Sequence, residues 1–379
     1  MKIACVLFNY FPYGGLSRDM LRIAYQLTRR GHTVVIVTGQ WNGELPKDIK
    51  VEIIQLPICY TNHGRAKWFD KLFQTYKKNN NFDLVVGFNR MTGLDVYYVA
   101  DVCFRHIISN KRFLNKIICK VLPRYNTFLS LERKVFYNKN MKYLFLDKTA
   151  YDCYSKYYTI DRNRAYIVPP YIDRKCHKGY YSESEIQSIK EKIGIEKDEF
   201  IFIQVGSDFQ RKGVDRSIRA FARLSEGFLK KSRLIIIGKG CTNELIKISD
   251  KLKVRDRIIF LNEQDDASIF IACSNVLIHP ARVENTGTVI VEALSLGIPV
   301  ICTSICGFSH YVVENESGYV VSHGDNIFDQ KELDNVVKKI SCKKNYLLLR
   351  GMAIKCSKFF ENSSEIDHSC DLIESFLIK

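Results

Sequence analysis

Short β-branched or apolar runs alternate along this chain with turn residues and then with segments of helical periodicity. That is the pattern of repeated β-α units whose parallel strands are buried on both faces. The runs fall at residues 3–8, 33–38, 51–56, 84–88, 143–146 and 165–168, and, after Pro169 and Pro170 interrupt, at 200–205, 234–237, 258–261, 276–278 and 300–302. Parallel neighbours need long crossovers, and the intervening segments are long enough to supply them. The expected fold class is therefore α/β, with two Rossmann-like doubly wound domains joined near Pro169. A chain of 379 residues, 46% of them hydrophobic, can fill two such cores.

The first helix is expected after the turn Pro12-Tyr13-Gly14-Gly15, with Ser17 capping its start, Met20, Ile23, Ala24 and Leu27 lining one face, and Gly31 ending it. From about Asp329 the chain reads as mostly helix, and its last helix is expected to pack back on the first domain. The expected boundaries are residues 1–168 for the first domain, which includes a basic amphipathic segment at 103–134, then 169–355 for the second, and 356–379 for the returning helix.

A net charge of +16 favours anionic surfaces, whether nucleic acid, phosphate-bearing ligands or acidic lipid, and charge alone does not choose among them. The 13 cysteines are scattered through strand-like and helix-like segments with no CxxC pair, which suits small apolar thiols in a reducing compartment. The apolar opening breaks at Asn9 and no run is long enough to span a bilayer, so the chain is expected to touch a membrane without crossing it. No phosphate-binding Gly-x4-Gly-Lys-Ser/Thr loop, His-Glu-x2-His helix or Asp-x-Asp at a strand end occurs, and the eight histidines do not cluster, so no metal is expected.

The most informative stretch is His279-Pro280-Ala281-Arg282-Val283-Glu284-Asn285-Thr286-Gly287-Thr288, running through Glu292 and closed by Gly297-Ile298-Pro299. It reads as strand, loop and helix. Gly287 at the helix start lets backbone approach a ligand, and the N–H groups there favour phosphate. Glu284 is expected in the loop and Glu292 about two turns into the helix, both facing one crevice. A bare pair of glutamates at this spacing also suits two solvated side chains flanking a core helix; the His-Pro and the glycines argue for a site.

A second stretch, Gly206-Ser207-Asp208-Phe209-Gln210-Arg211-Lys212-Gly213, runs from a strand into a loop that ends in adjacent cations. Such a pair stabilises the charge that develops on a departing diphosphate. A solvated basic loop is the bland alternative. In the first domain, Gly14 and Gly15 sit at a strand-to-helix turn with Asp19 following in the first helical turn, where an acid also simply suits the helix dipole. His63, beside Arg65 in a loop, lines an acceptor cleft or is merely satisfied locally.

Between residues 112 and 128, Leu114, Ile117, Ile118, Val121, Tyr125 and Phe128 repeat at helical spacing, opposite a basic stripe of Arg112, Lys116, Lys120 and Arg124 that Arg105 and Lys111 extend. Pro123 is expected to kink or split this helix. A basic amphipathic helix suits an anionic bilayer surface, each cation contributing about 1 kcal/mol near it. A helix packed on its own domain with a solvated basic face fits the same pattern.

At these residues the chain resembles the GT-B glycosyltransferases of family 4, and among them the enzymes that glucosylate the lipopolysaccharide core. The resemblance covers nearly the whole chain. It is carried by Tyr10-Phe11-Pro12-Tyr13-Gly14-Gly15-Leu16-Ser17-Arg18-Asp19, Thr61-Asn62-His63-Gly64-Arg65, Val86-Gly87-Phe88-Asn89-Arg90-Met91, Gly206-Ser207-Asp208-Phe209 with Arg211-Lys212-Gly213, and the spaced Glu284 and Glu292. It implies two domains facing across a cleft, the first for the acceptor and the second for a nucleotide sugar. The implied reaction is retaining transfer of glucose from UDP-glucose to an inner-core heptose of lipopolysaccharide, at the cytoplasmic face of the inner membrane and with no cofactor or metal.

By the same resemblance Arg211 and Lys212 hold the diphosphate, Glu284 meets the donor sugar, Glu292 meets the ribose, and Asp19 orients or deprotonates the acceptor. Gly14, Gly15, Gly206, Asn285, Thr286, Gly287 and Thr288 complete the donor set, His63, Arg65 and Asn89 the acceptor set, and Arg105, Lys111, Arg112, Lys116, Lys120 and Arg124 the membrane contact. Asn285 and Thr286 replace the small pair usual in this family, which leaves another UDP-hexose, or another glycolipid acceptor, open. Two rivals stand beside this reading: a nucleotide-sugar epimerase or phosphorylase of the same fold, and a non-catalytic basic protein that binds acidic lipid or nucleic acid, although no nucleic-acid motif is present.

Overall fold

The computed structural model describes residues 1–12, 14–110, 118–119, 121–323, 328–360 and 365–377. The chain divides into two compact units, Met1–Tyr171 with Ser364–Lys379, and Ile172–Ser363.

The first unit is built on seven strands, β1 (Lys2–Leu7), β2 (Thr33–Thr38), β3 (Lys50–Ile53), β4 (Leu84–Gly87), β5 (Val96–Val99), β6 (Lys142–Phe145) and β7 (Ala165–Ile167). They pair in the order β3-β2-β1-β4-β5-β6-β7, every pair parallel. Its helices include α1 (Gly15–Arg29), α2 (Asn62–Lys78), α3 (Phe104–Ser109), α4 (Pro123–Phe136) and α5 (Lys148–Ser155). Strand β5 was not expected from the sequence. Its four residues include two tyrosines, Tyr97 and Tyr98, and its Val96 and Val99 are wholly buried between β4 and β6, so it shows neither a long apolar run nor alternation.

Helix α1 corrects the expected cap. Its N-cap is Gly14, without a side-chain hydrogen bond, and Ser17 lies inside the helix with its hydroxyl accepting from the Phe11 N–H at 3.3 Å. The helix starts early because the Phe11–Gly14 turn closes on itself, Gly14 N–H donating to Phe11 O at 3.1 Å. Asp19 therefore falls beyond the first turn. A Cβ on Gly14 would meet the far edge of the exposed Phe11 ring at 2.8 Å, so a larger residue there would push that ring aside.

The second unit carries β8 (Phe200–Val205), β9 (Ser232–Ile237), β10 (Ile258–Leu261), β11 (Val276–His279), β12 (Val300–Thr303) and β13 (Gly318–Val321), all parallel in the order β10-β9-β8-β11-β12-β13. The edge strand β13 was also not expected; it is short and opens on a glycine. Helices α6 (Glu183–Lys192), α7 (Phe209–Lys212), α8 (Val214–Phe221), α9 (Glu226–Leu229), α10 (Asn243–Lys251), α11 (Ala267–Ala272), α12 (Thr288–Ser295), α13 (Ser309–Glu314), α14 (Gln330–Ile340) and α15 (Lys343–Phe360) surround the sheet. Ile201, Ile203, Leu234, Ile236, Leu277 and Ile290 are buried to within 1%, each contributing about 1.5–3 kcal/mol relative to exposure.

The last helix, α16 (Glu365–Ser375), belongs to the first unit and packs on α1. Cys370 and Ile373 are fully buried. Asp367, Asp371 and Glu374 recur at helical spacing, so one face of α16 meets the single cation Arg30 at 2.7, 2.6 and 2.7 Å. The unit boundary falls at 363/364 where the sequence suggested 355/356, because α15 runs unbroken to Phe360 with Ala353, Cys356 and Phe360 buried.

In the basic segment, Pro123 occupies the first turn of α4, where its missing N–H costs nothing, so it starts a helix. Arg105 on α3 and Arg124 on α4 are exposed. Lys111, Arg112, Lys116 and Lys120 lie outside the described residues. Among the described residues no helix is long and apolar enough to cross a membrane.

Candidate functional site

In a doubly wound sheet, ligands bind beyond the carboxyl ends of the strands where the strand order reverses. In the second unit that point lies between β8 and β11, which are adjacent in space. The segment leaving β8 carries Gly206 and then, on the short helix α7 where the sequence suggested a loop, Arg211 and Lys212, and the loop leaving β11 carries Glu284 and Gly287. The fold thus brings together two stretches that lie far apart in the chain.

Glu284 is the centre of this cluster. Its side chain is 9% exposed, and Oε2 accepts from Lys212 Nζ and lies 3.2 Å from His279 Nε2, while Oε1 lies 3.6 Å from an Arg211 guanidinium nitrogen and 3.2 Å from the Asn285 N–H. Burial alone would push its carboxyl up; the His279 hydrogen bond and the Lys212 and Arg211 charges outweigh that and hold it well below the usual range. Burial pushes the His279 imidazole down, against the pull of Glu284. A compact group of two cations and one ionised carboxylate follows, able to bind a phosphate-bearing ligand and to present an oxygen to a hydroxyl.

Backbone conformation shapes the two loops. Gly206 has φ +145° and the Lys212 stem lies over it, 3.1 Å from where a Cβ would stand. Gly213, at φ +70°, leaves no room for a Cβ beside the Pro280 carbonyl. Asp208 takes the left-handed conformation and caps α7, its Oδ1 accepting from the Arg211 N–H at 3.2 Å. Gly287, at φ +76°, is the N-cap of α12 and supplies no side-chain bond. With no side-chain cap, the start of α12 suits an anion through its first N–H groups and the helix dipole, although the Ile290 N–H already donates to Gly287 O at 2.8 Å.

Residues outside the expected set brace this arrangement. Arg282 grips Asp215 through two hydrogen bonds of 2.6 and 2.8 Å, and its backbone N–H donates to Arg211 O at 2.8 Å. Although burial would raise it, the Asp215 carboxyl is held low by Arg282. Buried Arg216 donates to the Pro280 and Ala281 carbonyls at 3.1 and 3.2 Å, and Gln204 donates to Lys212 O at 2.7 Å. For His279 and Gln204 the sequence signal was a polar residue at the end of an apolar strand or one before it; Arg216, Asp215 and Arg282 carried no such signal.

Glu292 stands half-buried on α12, just over one turn in rather than two, because the helix begins only after the left-handed Gly287. Asn285 and Thr286 are tied by their carbonyls to the N–H groups of Gly307 and Phe308 at 2.7 and 2.9 Å, so the positions that depart from the family's usual pair sit in a fixed loop.

In the first unit the order reverses between β1 and β4. Gly14 and Gly15 follow β1, Asn89 follows β4, and the two loops are joined by Phe8 N–H donating to Asn89 Oδ1 at 2.9 Å. Arg65 donates to Gln40 Oε1 at 2.8 Å, with its guanidinium 5.9 Å from the Phe8 ring centre. Asp19 accepts from the Tyr98 hydroxyl at 3.4 Å and lies 3.8 Å from Arg22. His63 occupies the first turn of α2, whose cap is Thr61. Among the described residues no group of three or more His, Cys, Asp or Glu is placed to hold a metal.

Two sheets of this order, with a cationic pair and a buried glutamate at the switch point of the second, are the framework of a glycosyltransferase. Residues 13–175 match the family described as Glycosyltransferase Family 4 and residues 185–340 match Glycosyl transferases group 1. The chain belongs to the family 4 glycosyltransferases, of GT-B fold.

Within that family it is similar to the lipopolysaccharide glucosyltransferase WaaG of Escherichia coli strain K12, with 36% identity over 343 residues and 89% of each chain covered. The crystal structure of WaaG, a glycosyltransferase involved in lipopolysaccharide biosynthesis, superposes with a TM-score of 0.89 at 33% identity, over 98% of this chain and 99% of that one. Anabaena HepE, solved with UDP-glucose, shares the fold at a TM-score of 0.72 and 17% identity, over 100% and 99% of the two chains.

Proposed function

We propose that this chain transfers glucose from UDP-glucose, with retention of the anomeric configuration, onto an inner-core heptose of lipopolysaccharide. The observation that carries the reading is the cluster of Lys212, Arg211 and Glu284 beside the uncapped start of α12. A glucosyl group and a lipopolysaccharide acceptor are supported by the name of the E. coli relative, and UDP-glucose by the HepE complex. In this reading Arg211 and Lys212 neutralise the diphosphate as the bond from the anomeric carbon to its phosphate oxygen breaks. The acceptor hydroxyl forms the new glycosidic bond on that same face and its proton passes to the departing diphosphate. Glu284 holds a donor sugar hydroxyl, Glu292 the ribose, and Asp19 orients the acceptor.

Exposed Arg105 and Arg124 in the first unit favour a peripheral position at the cytoplasmic face of the inner membrane, with both toward acidic headgroups. Charge neutralisation falls to side chains, so turnover is expected to persist in chelator. The test is incubation with a panel of UDP- and ADP-sugars and truncated lipopolysaccharide, the product read by mass and by anomeric NMR. An α-glucosyl product from UDP-glucose is expected; a product with another hexose replaces the donor assignment, and no transfer from any nucleotide sugar overturns the reading.

A further inference from the structure

His279 closes strand β11 and is completely buried. Its Nε2 lies 3.2 Å from Glu284 Oε2, the same oxygen that accepts from Lys212, and its Nδ1 has no hydrogen-bond partner among the described residues. Glu284, Lys212 and Arg211 are the charged groups that act on the ring. An ionised carboxylate can only accept, so Nε2 carries a proton, and burial, which favours the neutral ring, leaves Nδ1 as a bare acceptor. The fold therefore leaves a buried polar atom without a partner here, where an apolar side chain would satisfy the core better.

The partners of Glu284 differ in one respect that matters during the reaction. Lys212 and Arg211 are the cations assigned to the donor diphosphate, so phosphate oxygens compete with Glu284 for both. His279 is uncharged and inaccessible, and no ligand competes for it. We infer that His279 is a positioning residue: its Nε2–H holds the Glu284 carboxylate in place while the diphosphate draws Lys212 and Arg211 away. A carboxylate held only by cations would follow them, and the sugar hydroxyl it addresses would lose its fixed partner. The inference rests on the glycosyltransferase reading for its catalytic consequence, while the tautomer it requires is independent of any substrate.

Two variants and one spectrum test it. His279→Leu keeps the bulk and removes the donor; His279→Gln places an amide N–H where Nε2 stood. Misplacement of a reacting-site group by about 1 Å costs on the order of 10²-fold, so His279→Leu should lower kcat by about that factor with the donor KM changed only a few-fold, and His279→Gln should recover at least tenfold of the loss. A kcat for His279→Leu within threefold of the parent overturns the inference. So does a His279→Gln variant that is folded, by its thermal midpoint, yet no better than His279→Leu, because the ring would then merely fill space. If His279→Leu does not fold, or the parent transfers no sugar, ¹⁵N NMR of histidine-labelled parent protein decides: a ring protonated on Nε2 alone, pinned by Glu284, supports the inference, and the Nδ1–H tautomer overturns it.

Discussion

Replacing Lys212 by alanine removes the ammonium group that sits on Glu284 and, in the proposed reaction, on the departing diphosphate. The Lys212 side chain is 12% exposed and Glu284 is 9% exposed, so solvent screens the pair poorly. At an effective dielectric constant of about 20, a unit charge acting over about 4 Å is worth about 4 kcal/mol. Losing one preorganised donor to developing negative charge typically costs about 2.7–4 kcal/mol, or roughly 10²–10³ in kcat. The two estimates converge, and kcat for Lys212→Ala should fall by about 10²–10³.

The assay is steady-state release of UDP from UDP-glucose with truncated lipopolysaccharide as acceptor. If the ammonium acts chiefly in the transition state, kcat and kcat/KM fall together. Folding should survive: Glu284 keeps His279 at 3.2 Å and Arg211 at 3.6 Å, and a loss of about 1–2 kcal/mol in urea unfolding is expected, within the usual range for one substitution. A folded variant whose kcat stays within threefold of the parent refutes the assignment of Lys212 to the diphosphate.

Gly206→Ala forces a Cβ onto backbone at φ +145° and against the Lys212 stem; a loss of about 1–3 kcal/mol in unfolding free energy is expected from the strain, together with at least tenfold in kcat, and an unchanged urea midpoint would show the loop to be pliable. The carboxyl of Glu284 is held below its ordinary value, so the folded state binds fewer protons there than the unfolded state; its stabilisation is complete above roughly pH 4.3–4.5 and is lost as pH falls through the lower folded value. The thermal midpoint of the parent should therefore drop more steeply on acidification below about pH 4.3 than that of Glu284→Gln, and parallel profiles would contradict the clamp. Arg30→Ala strips the shared cation from Asp367, Asp371 and Glu374; with partly exposed pairs worth about 0.2–1 kcal/mol each, unfolding free energy should fall by about 1–2 kcal/mol, and no change would mean that α16 is held by its apolar face alone.

The layer architecture was legible because buried parallel strands leave unmistakable apolar runs. The strands that escaped notice did so for physical reasons. β5 puts tyrosines where a sheet normally has aliphatics, and β13 opens on Gly318, where the Val300 backbone leaves no room for a Cβ. The Ser17 cap failed because capping preferences describe a helix whose start is free, whereas the Phe11–Gly14 turn fixes the start of α1 by its own hydrogen bonds. Local propensity lost to a local closure that the sequence does not advertise.

The site was legible in its parts and not in its wiring. Arg211, Lys212 and Glu284 each stood out beside glycines, but nothing in their spacing says that the carboxylate lies on the cations. That follows only from β8 and β11 being neighbours at the reversal of strand order, a property of the whole sheet. The bracing groups were hidden for the same reason: Arg282 lies in the loop after β11 and Asp215 in the first turn of α8, and each alone is an ordinary charged side chain until the sheet sets them 2.6 Å apart. Cations prepared for a diphosphate would repel each other if left bare in a poorly solvated crevice. Glu284, kept ionised by the cations it neutralises, lets Arg211 and Lys212 be assembled in advance; in the proposed reaction a phosphate-bearing donor then exchanges one anion for another instead of having to gather the charges itself.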